Sequence, residues 1–352
     1  MTNSRLVIML ISLLVVSCSS QDTTKIVRAE KVVSLSIDTT FSASFPELSD
    51  IFQIRLINDT LLVFQEQTNE DAIYHFKVYS TNTFNYLGSI IRNGRGPGEM
   101  IQPHMAISDS KEKYLNINLN AIEKAFSIDV NNSLEEQSPQ IVHTYSLPSS
   151  TIDWIPVSDS TQFVFRLDGN SIIPQVVDTG RNIVMDFPFA SDSVLEHQIT
   201  YLSSFLICNK DSGLVAQVMQ FLPQINFFDT VSGQQFSLHT IPYKKSWESV
   251  TSHMLDINTK QYYIGATCSR EFVFASYKGI SLGELIESAH GTRIHVLDWS
   301  GHFLCDICVE EDIRNMAFDS QRNHLYCKDN EKFTIVRYDL NEIVSKFPKM
   351  NR

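Results

Sequence analysis

The chain of 352 residues contains few of the residues that mark fibrous, disordered or nucleic-acid-binding proteins. Its 13 glycines and 11 prolines stand beside 43% hydrophobic residues, which excludes a low-complexity chain and indicates a globular one. Positive charge is scarce, because the chain has 28 lysines and arginines but 40 acidic residues, which gives a net charge of −12. An acidic protein repels phosphate backbones, so we expect no nucleic-acid partner.

Cysteine is also scarce, and its spacing argues against a disulfide framework. Apart from Cys18 the chain has an odd number of cysteines, which cannot all pair with one another: Cys208, Cys268, Cys305, Cys308 and Cys327. Cys305 and Cys308 have the spacing of half a zinc site, but they lie in a predicted strand, where residues three apart point to opposite faces. No second Cys-x-x-Cys exists. The pattern favours buried, unpaired cysteines, and whether any form disulfides stays open at this point.

No apolar run is long enough to span a membrane. The longest, Leu6 to Val16, follows the cation Arg5 and has about half of the roughly 20 residues that a spanning helix needs. Because the run ends in Val-Val-Ser-Cys, which resembles the lipobox of bacterial lipoproteins, we predict a signal peptide over residues 1–17 and lipidation of Cys18. An ordinary signal peptide with an incidental cysteine is the alternative. Residues 18–30 are polar and are predicted to form a flexible tether.

Lipidation would fix the location of the protein. Acyl chains contribute about 0.8 kcal/mol per buried methylene, so they hold a protein at a membrane without a spanning helix. Ser19 follows the lipidated residue, where by resemblance to enteric sorting rules an aspartate would retain the protein at the inner membrane. We therefore expect a cell-envelope protein anchored in the outer membrane, on either its periplasmic or its external face.

One pattern is abundant: an alternating apolar segment that ends in Asp or Tyr-Ser and leads into a polar turn. Its six copies are residues 76–80, 126–129, 175–178, 225–229, 294–298 and 335–339. A period of roughly 50 residues with four short strands per unit is typical of propeller blades. We predict that residues 31–352 form one all-β domain, a six-bladed β-propeller with four-stranded antiparallel blades. Seven blades, or a β-sandwich or barrel, are the alternatives.

Two irregularities of the repeat need explanation. The sixth blade has only three clear strands, so its fourth is expected from Val32 to Ile37 or from Ile343 to Phe347. Pairing of the terminal strands in this way closes the ring and removes an exposed edge. The longer interval before the fifth copy contains residues 278–291, whose leucine and isoleucine spacing suggests one or two helical turns inserted between two strands of blade five.

The most distinctive local segment is Arg-Asn-Gly-Arg-Gly-Pro-Gly-Glu-Met, residues 92–100. Three glycines around a proline impose a tight path on the connection from the outer strand of blade one to the inner strand of blade two. Such connections lie on the face where propellers bind ligands, beside the central channel. We therefore predict that Arg95 donates to a carboxylate or sulfate and that Glu99 orients it. The alternative is a structural loop in which both residues tie neighbouring blades together.

The same segment supports a resemblance to a known family. Together with residues 272–279, residues 296–301, Phe318-Asp319 and Leu325-Tyr326, it resembles the TolB-like six-bladed propeller lipoproteins of the Gram-negative envelope. The resemblance covers essentially the whole mature chain. It implies an envelope lipoprotein with a six-bladed fold, and it carries over no catalytic residues because that family is largely uncharacterised.

Other candidate residues have weaker signals. Trp247 lies in a polar connection and is the tryptophan most suited to stack on a sugar. Acidic residues near the connections between blades are weak candidates for a Ca²⁺ site of the kind that propeller lactonases hold at the channel mouth: Asp153, Glu196, Glu248 and Asp312. Apart from Ca²⁺ no cofactor is expected. Ser281 lies in a Gly-x-Ser-x-Gly sequence, but the chain lacks the α/β domain that a hydrolase nucleophile elbow requires.

These features favour a binding or interaction propeller that recognises a peptide, protein or glycan on its channel face. A metal-dependent propeller hydrolase or lyase acting on a small molecule is the first alternative, and a structural subunit of an envelope complex is the second. The sequence assigns no catalytic residue.

Overall fold

The computed structural model of the chain describes residues 25–40, 51–66, 73–108, 111–119, 122–168, 171–187, 203–242, 256–287, 291–332 and 334–347. In these residues the strands form six separate sheets. The part of the chain so described contains no helix that is long and apolar enough to cross a membrane.

Three short strands near the N-terminus precede the first blade: β1 (Lys25–Ile26), β2 (Val32–Ser34) and β3 (Thr39–Thr40). Blade one contains β4 (Ile51–Ile57), β5 (Leu61–Glu66), β6 (Tyr74–Ser80), β7 (Tyr86–Asn93) and β8 (Glu99–Met100). Blade two contains β9 (His104–Met105), β11 (Leu115–Leu119), β12 (Lys124–Asp129) and β13 (Gln140–Ser146), while β10 (Ile107–Ser108) joins the sheet of blade four.

Blade three contains β14 (Thr151–Pro156), β15 (Thr161–Asp168), β16 (Ser171–Asp178) and β17 (Ile183–Asp186). Blade four contains β18 (Ser204–Asn209), β19 (Leu214–Met219), β20 (Gln224–Asp229) and β21 (Gln235–His239). Blade five contains β22 (Lys260–Cys268), β23 (Phe272–Ser281), β24 (Thr292–Asp298) and β25 (Phe303–Val309). Blade six contains β26 (Ile313–Asp319), β27 (His324–Asp329) and β28 (Thr334–Asp339), with β3 as its outer strand.

The six sheets confirm the predicted six-bladed propeller. The inner strands of blades three, four, five and six contact one another in turn, and β26 of blade six contacts β4 of blade one. The blades are larger than predicted in places, because short added strands extend the sheets of blades one and five to five strands and that of blade four to six.

The repeated Asp or Ser has a structural cause: it ends the third strand of every blade and caps the turn that follows. Asp178 Oδ1 accepts the backbone N–H groups of Gly180 and Asn182, each at 2.8 Å. Asp298 Oδ1 accepts the N–H groups of Ser300 and His302 at 2.9 Å in the same way. A short acceptor at this position satisfies backbone donors that the sheet leaves unpaired, so the pattern recurs once per blade.

Three helices lie in the described residues: α1 (Val130–Glu136), α2 (Leu282–Glu287) and α3 (Asn341–Val344). Helix α2 confirms the helical insertion predicted within blade five. Helix α3 corrects one of the two alternatives for ring closure, because the segment from Ile343 begins in a helix and not in a strand. Its apolar side chains, including Ile343 and Phe347, pack on the cluster between blades five and six.

The N-terminal strap, residues 25–40, runs along the outer edges of three consecutive blades. Strand β1 pairs with blade four and β2 pairs with blade five, both in parallel, and β3 pairs antiparallel with blade six. The terminal strand that completes blade six is therefore Thr39–Thr40, and Val32–Ser34 belongs to blade five instead. Part of the predicted tether is paired as well, since Val27 N donates to His239 O at 2.9 Å. The strap covers sheet edges that would otherwise be exposed.

Much of the hydrophobic core lies between the faces of adjacent blades. Phe163 and Phe228 have ring centroids 4.9 Å apart between blades three and four. Phe274 and Phe318 stack at 4.5 Å between blades five and six. This arrangement leaves the middle of the ring available for polar groups.

None of the five described cysteines forms a disulfide, and all except Cys308 are buried. Burial raises the pKa of the Cys305 and Cys327 thiols. The predicted small hydrophobic role of these residues agrees with their packing, because buried thiols with raised pKa values are poor nucleophiles.

Candidate functional site

A cavity of about 500 Å³ lies in the central channel. The inner strands of blades one, four, five and six, which are β4, β18, β22 and β26, contribute to its walls. Three cations line it, together with five carboxamides: Arg55, Arg314 and Lys328, and Gln53, Gln220, Gln261, Asn315 and Asn330. No carboxylate is found among the lining residues that the structure describes.

A crossing segment, residues 106–108, forms part of the cavity wall. It follows the inner strand of blade two, yet its strand β10 pairs in parallel with the inner strand of blade four, Ile107 opposite Ile207. The free edge of an inner strand faces the centre of the ring, so a strand that pairs with this edge must lie in the channel. Ile107 is buried and its side chain lines the cavity.

Arg55 is a buried cation whose hydrogen bonds within the described residues all go to neutral acceptors. Its side chain is fixed from both ends of the guanidinium: Nε donates to Ala106 O of the crossing segment at 3.1 Å, and Nη2 donates to Gln53 Oε1 at 3.1 Å. Nη1 donates to the carbonyl of Ile54. Burial lowers the pKa of Arg55 to about 9, because the charged form loses its hydration. A buried charge without a counterion costs free energy, so this residue needs an explanation.

The second and third cations come from blade six. Lys328 Nζ donates to Ile51 O at 3.3 Å. Arg314 Nη2 lies 3.6 Å from Asp312 Oδ2, while its Nε is buried and makes no hydrogen bond. Asp312 does not neutralise Arg314 alone, because its Oδ1 lies 2.8 Å from Lys278 Nζ. The described lining of the cavity thus contains cations and no carboxylate, in a protein of net charge −12.

The glycine segment lies away from this cavity. Strand β8 pairs in parallel with β7 at Arg92 and Glu99, which places the turn at the outer edge of blade one. Glu99 Oε2 accepts the N–H of Gly96 at 2.8 Å and so closes its own turn, and Arg95 is exposed. The expected position of Arg95 and Glu99 beside the channel is wrong, since neither lines the cavity. A ligand role for Arg95 stays a prediction.

The acidic candidates are not brought together as a set in the described residues. Asp153 Oδ1 accepts the N–H of Trp154 at 2.8 Å, and burial raises its pKa to about 7. Asp312 is occupied by the two cations named above. Within the described ranges no group of three or more His, Cys, Asp or Glu side chains is placed to hold a metal ion. Glu196, Glu248, Trp247 and Cys18 lie outside those ranges, and a Ca²⁺ site stays a prediction.

Ser281 has a structural role that explains its sequence context. It ends β23 immediately before α2, its Oγ donates to Glu284 Oε2 at 2.8 Å, and its backbone N donates to the same oxygen at 2.8 Å. The Glu284 N–H in turn donates to Ser281 Oγ at 3.2 Å. These reciprocal bonds form a capping box, so the Gly-x-Ser-x-Gly letters reflect a helix start and not a nucleophile.

Sequence reasoning missed the three channel cations. A signal for them exists, because Arg55 interrupts the apolar strand Ile51–Ile57 and Lys328 interrupts the buried strand His324–Asp329. Charged side chains are rarely buried in such strands, so both positions indicate a polar environment.

Six radial sheets around a polar, cationic channel define a β-propeller with a channel that can hold a ligand. Over residues 24–321 the sequence matches the family described as TolB-like 6-blade propeller-like. The chain belongs to this family.

One solved structure supports the fold. A member of the DUF4221 family from Bacteroides vulgatus superposes with a TM-score of 0.56 at 12% identity, covering 87% of this chain and 97% of that chain. The β-propeller domain of Cps50 (Swd1) from Myceliophteria thermophila gives a TM-score of 0.46 at 10% identity, covering 87% of this chain and 99% of the other. No curated protein is significantly similar to the chain in sequence.

Proposed function

We propose that the protein is a binding module of the bacterial cell envelope, which recognises a peptide, protein or glycan through its channel face. The observation that supports this function is the cavity itself: cations and carboxamides from four blades line a space of about 500 Å³. Ligand sites are concave, preformed and equipped with a few fixed polar groups of this kind. Carboxamides both donate and accept hydrogen bonds, so they suit peptide or sugar groups.

A lipid at Cys18 would hold this module at the outer membrane. The strap begins at Lys25 on the outer edge of blade four, seven residues after Cys18. A chain of this length reaches at most about 25 Å, so the lipid would keep the edge of blade four close to the membrane surface. Cys18→Ala should move the protein from the membrane to the soluble fraction, and membrane retention of this variant would refute the anchor.

The binding function can be tested by blocking the channel. Ser204 is half-buried and lines the cavity, so Ser204→Trp should fill part of it. Val231 belongs to the same blade but lies in an exposed hairpin turn with 77% of its surface accessible, which makes Val231→Trp a matched control. We expect envelope components cross-linked to the wild type and to Val231→Trp to be lost from Ser204→Trp. Equal cross-linking to all three proteins, or none to the wild type, would refute binding through the channel.

A further inference from the structure

We infer that the channel cavity binds an oxyanion group of its ligand, a carboxylate or a phosphate, between Arg55, Arg314 and Lys328. This inference rests on the proposed function, because it concerns the same cavity, and it adds the chemical class of the ligand.

The first argument is charge. The three cations come from β4, β26 and β27, so two adjacent blades direct positive charge into one space. The nearby carboxylate of Asp312 is shared between Arg314 and Lys278. Arg55 has only neutral hydrogen-bond acceptors among the described residues, so none of these bonds balances its charge. An anion in the cavity would supply the missing counterion and recover part of the desolvation cost.

The second argument is the inventory of unused donors. Arg314 Nε and Asn330 Nδ2 are buried nitrogens without a hydrogen-bond partner, and both residues line the cavity. Each terminal nitrogen of Arg55 carries a second N–H besides the one used for Gln53 or Ile54. Hydrogen-bond donors that have no acceptor are best satisfied by a ligand group that only accepts hydrogen bonds. An oxyanion is such a group, and arginine binds carboxylate and phosphate oxygens with charge-assisted hydrogen bonds.

Other occupants fit less well. A metal cation would be repelled by the three positive side chains, and an apolar molecule would leave the unused donors buried and unpaired. A nucleic acid is disfavoured by the net charge of −12. The volume of about 500 Å³ suits a small organic anion or the charged end of a larger ligand. Apolar lining residues such as Phe205 and Ile264 can contact the remainder of the molecule.

The test uses the full-length protein in detergent, with sodium phosphate and sodium succinate as probes and sodium chloride at matched ionic strength as reference. Thermal unfolding followed by tryptophan fluorescence and titration calorimetry report binding. We expect phosphate or succinate to raise Tm in a saturable way that chloride does not reproduce. The probe that binds more tightly identifies the oxyanion as a phosphate or a carboxylate.

Variants connect the effect to the cavity. The Arg314 side chain is 41% exposed, so Arg314→Gln should fold, and we expect its Kd for the better probe to be at least about tenfold weaker. Arg270→Gln is the matched control, because this arginine lies between β22 and β23 with 59% of its side chain exposed and does not line the cavity, and its Kd should be unchanged. Lys328→Gln provides a second channel variant if Arg314→Gln proves unstable.

The inference is overturned if chloride gives the same Tm increase as both probes, or if the channel variants bind as the wild type does. Because the binding assay contains no envelope partner, its result is independent of the result of the cross-linking experiment. Channel-dependent cross-linking without anion binding would leave the binding function and remove the oxyanion. Anion binding without cross-linking would support the oxyanion site and remove the envelope partner.

Discussion

Gly265 of blade five packs directly against the backbone of blade six, and its replacement by alanine provides a direct test of the ring geometry. A Cβ atom at this position would lie 1.8 Å from the carbonyl oxygen of Arg314 and 3.0 Å from Ser276 Oγ. The nearer atom belongs to the backbone of β26, so no rotation of a side chain can relieve the clash. Alanine at this site therefore requires the inner strands of the two blades to separate.

The size of the effect follows from the distance. Cβ contacts below 3.0 Å are essentially never seen, so the strands must move apart by more than about 1 Å at this point. Overpacking of this kind costs about 1–3 kcal/mol, and a backbone obstacle gives the upper part of that range. The smaller conformational freedom of alanine in the unfolded chain offsets only about 0.4–1 kcal/mol. We expect Gly265→Ala to lower the free energy of unfolding by about 2 kcal/mol.

Urea unfolding followed by fluorescence measures this difference. Gly180→Ala is the matched control, because its Cβ would meet only side-chain atoms of Asn182 and Asp178, both at 3.2 Å in an exposed turn. The control should keep its urea midpoint or raise it slightly. If Gly265→Ala unfolds at the wild-type midpoint, the inner strands of blades five and six do not approach as closely as the structure shows.

Three further predictions concern pH, ring closure and thiol access. The pKa of Asp153 is about 7 in the folded chain and 3.8 ordinarily, so its ionisation opposes folding and the free energy of unfolding falls as pH rises between these values. Asp153→Asn should reduce this fall and add at most about 4 kcal/mol to the free energy of unfolding above pH 7. Urea unfolding across pH measures the effect, and an unchanged pH profile would contradict it. Arg322 joins blade six to blade one by bonds to Asp319 Oδ2 at 2.7 Å and to Asn82 Oδ1 at 2.8 Å. Arg322→Ala should cost about 2 kcal/mol in urea unfolding, whereas equality with the wild type would show that this link does not stabilise the ring. Iodoacetamide should modify Cys308 fastest in the native protein, and mass spectrometry that finds a buried cysteine modified first would contradict the packing.

The fold was predictable because its repeat has a local cause. An Asp or Ser that caps the third turn of each blade must recur once per blade, so the pattern reports both the fold and the number of blades. The strap was harder, since alternation in Val32 to Ile37 indicates a strand but does not specify which edge it joins. Val32–Ser34 pairs with blade five and not with blade six because the strap crosses the edges of three sheets in succession.

The site was less predictable for a similar reason. The glycines of residues 94–98 indicate a tight turn, but the two-residue strand Glu99–Met100 that holds this turn at the outer edge has no sequence signal of its own. The course of the chain after this turn is fixed by residues distant in sequence, because His75 Nε2 lies 2.8 Å from Met100 O. The position of Arg95 therefore depended on tertiary contacts that periodicity does not contain.

Arg55 is difficult to explain by stability alone. Replacing buried charges by apolar residues is often neutral or stabilising, so a fold selected only for stability has no need of a guanidinium in its channel. The lowered pKa of Arg55 shows that burial disfavours its charged form, and the carbonyl of Ala106 and the amide of Gln53 orient the group without neutralising it. A charge that is held in place without a counterion is preorganised for an anion. The free energy needed to order and desolvate the side chain is spent during folding, so anion binding does not require it again. The same reasoning applies to Arg314 Nε, which makes no hydrogen bond in the cavity, and it supports the proposed oxyanion site.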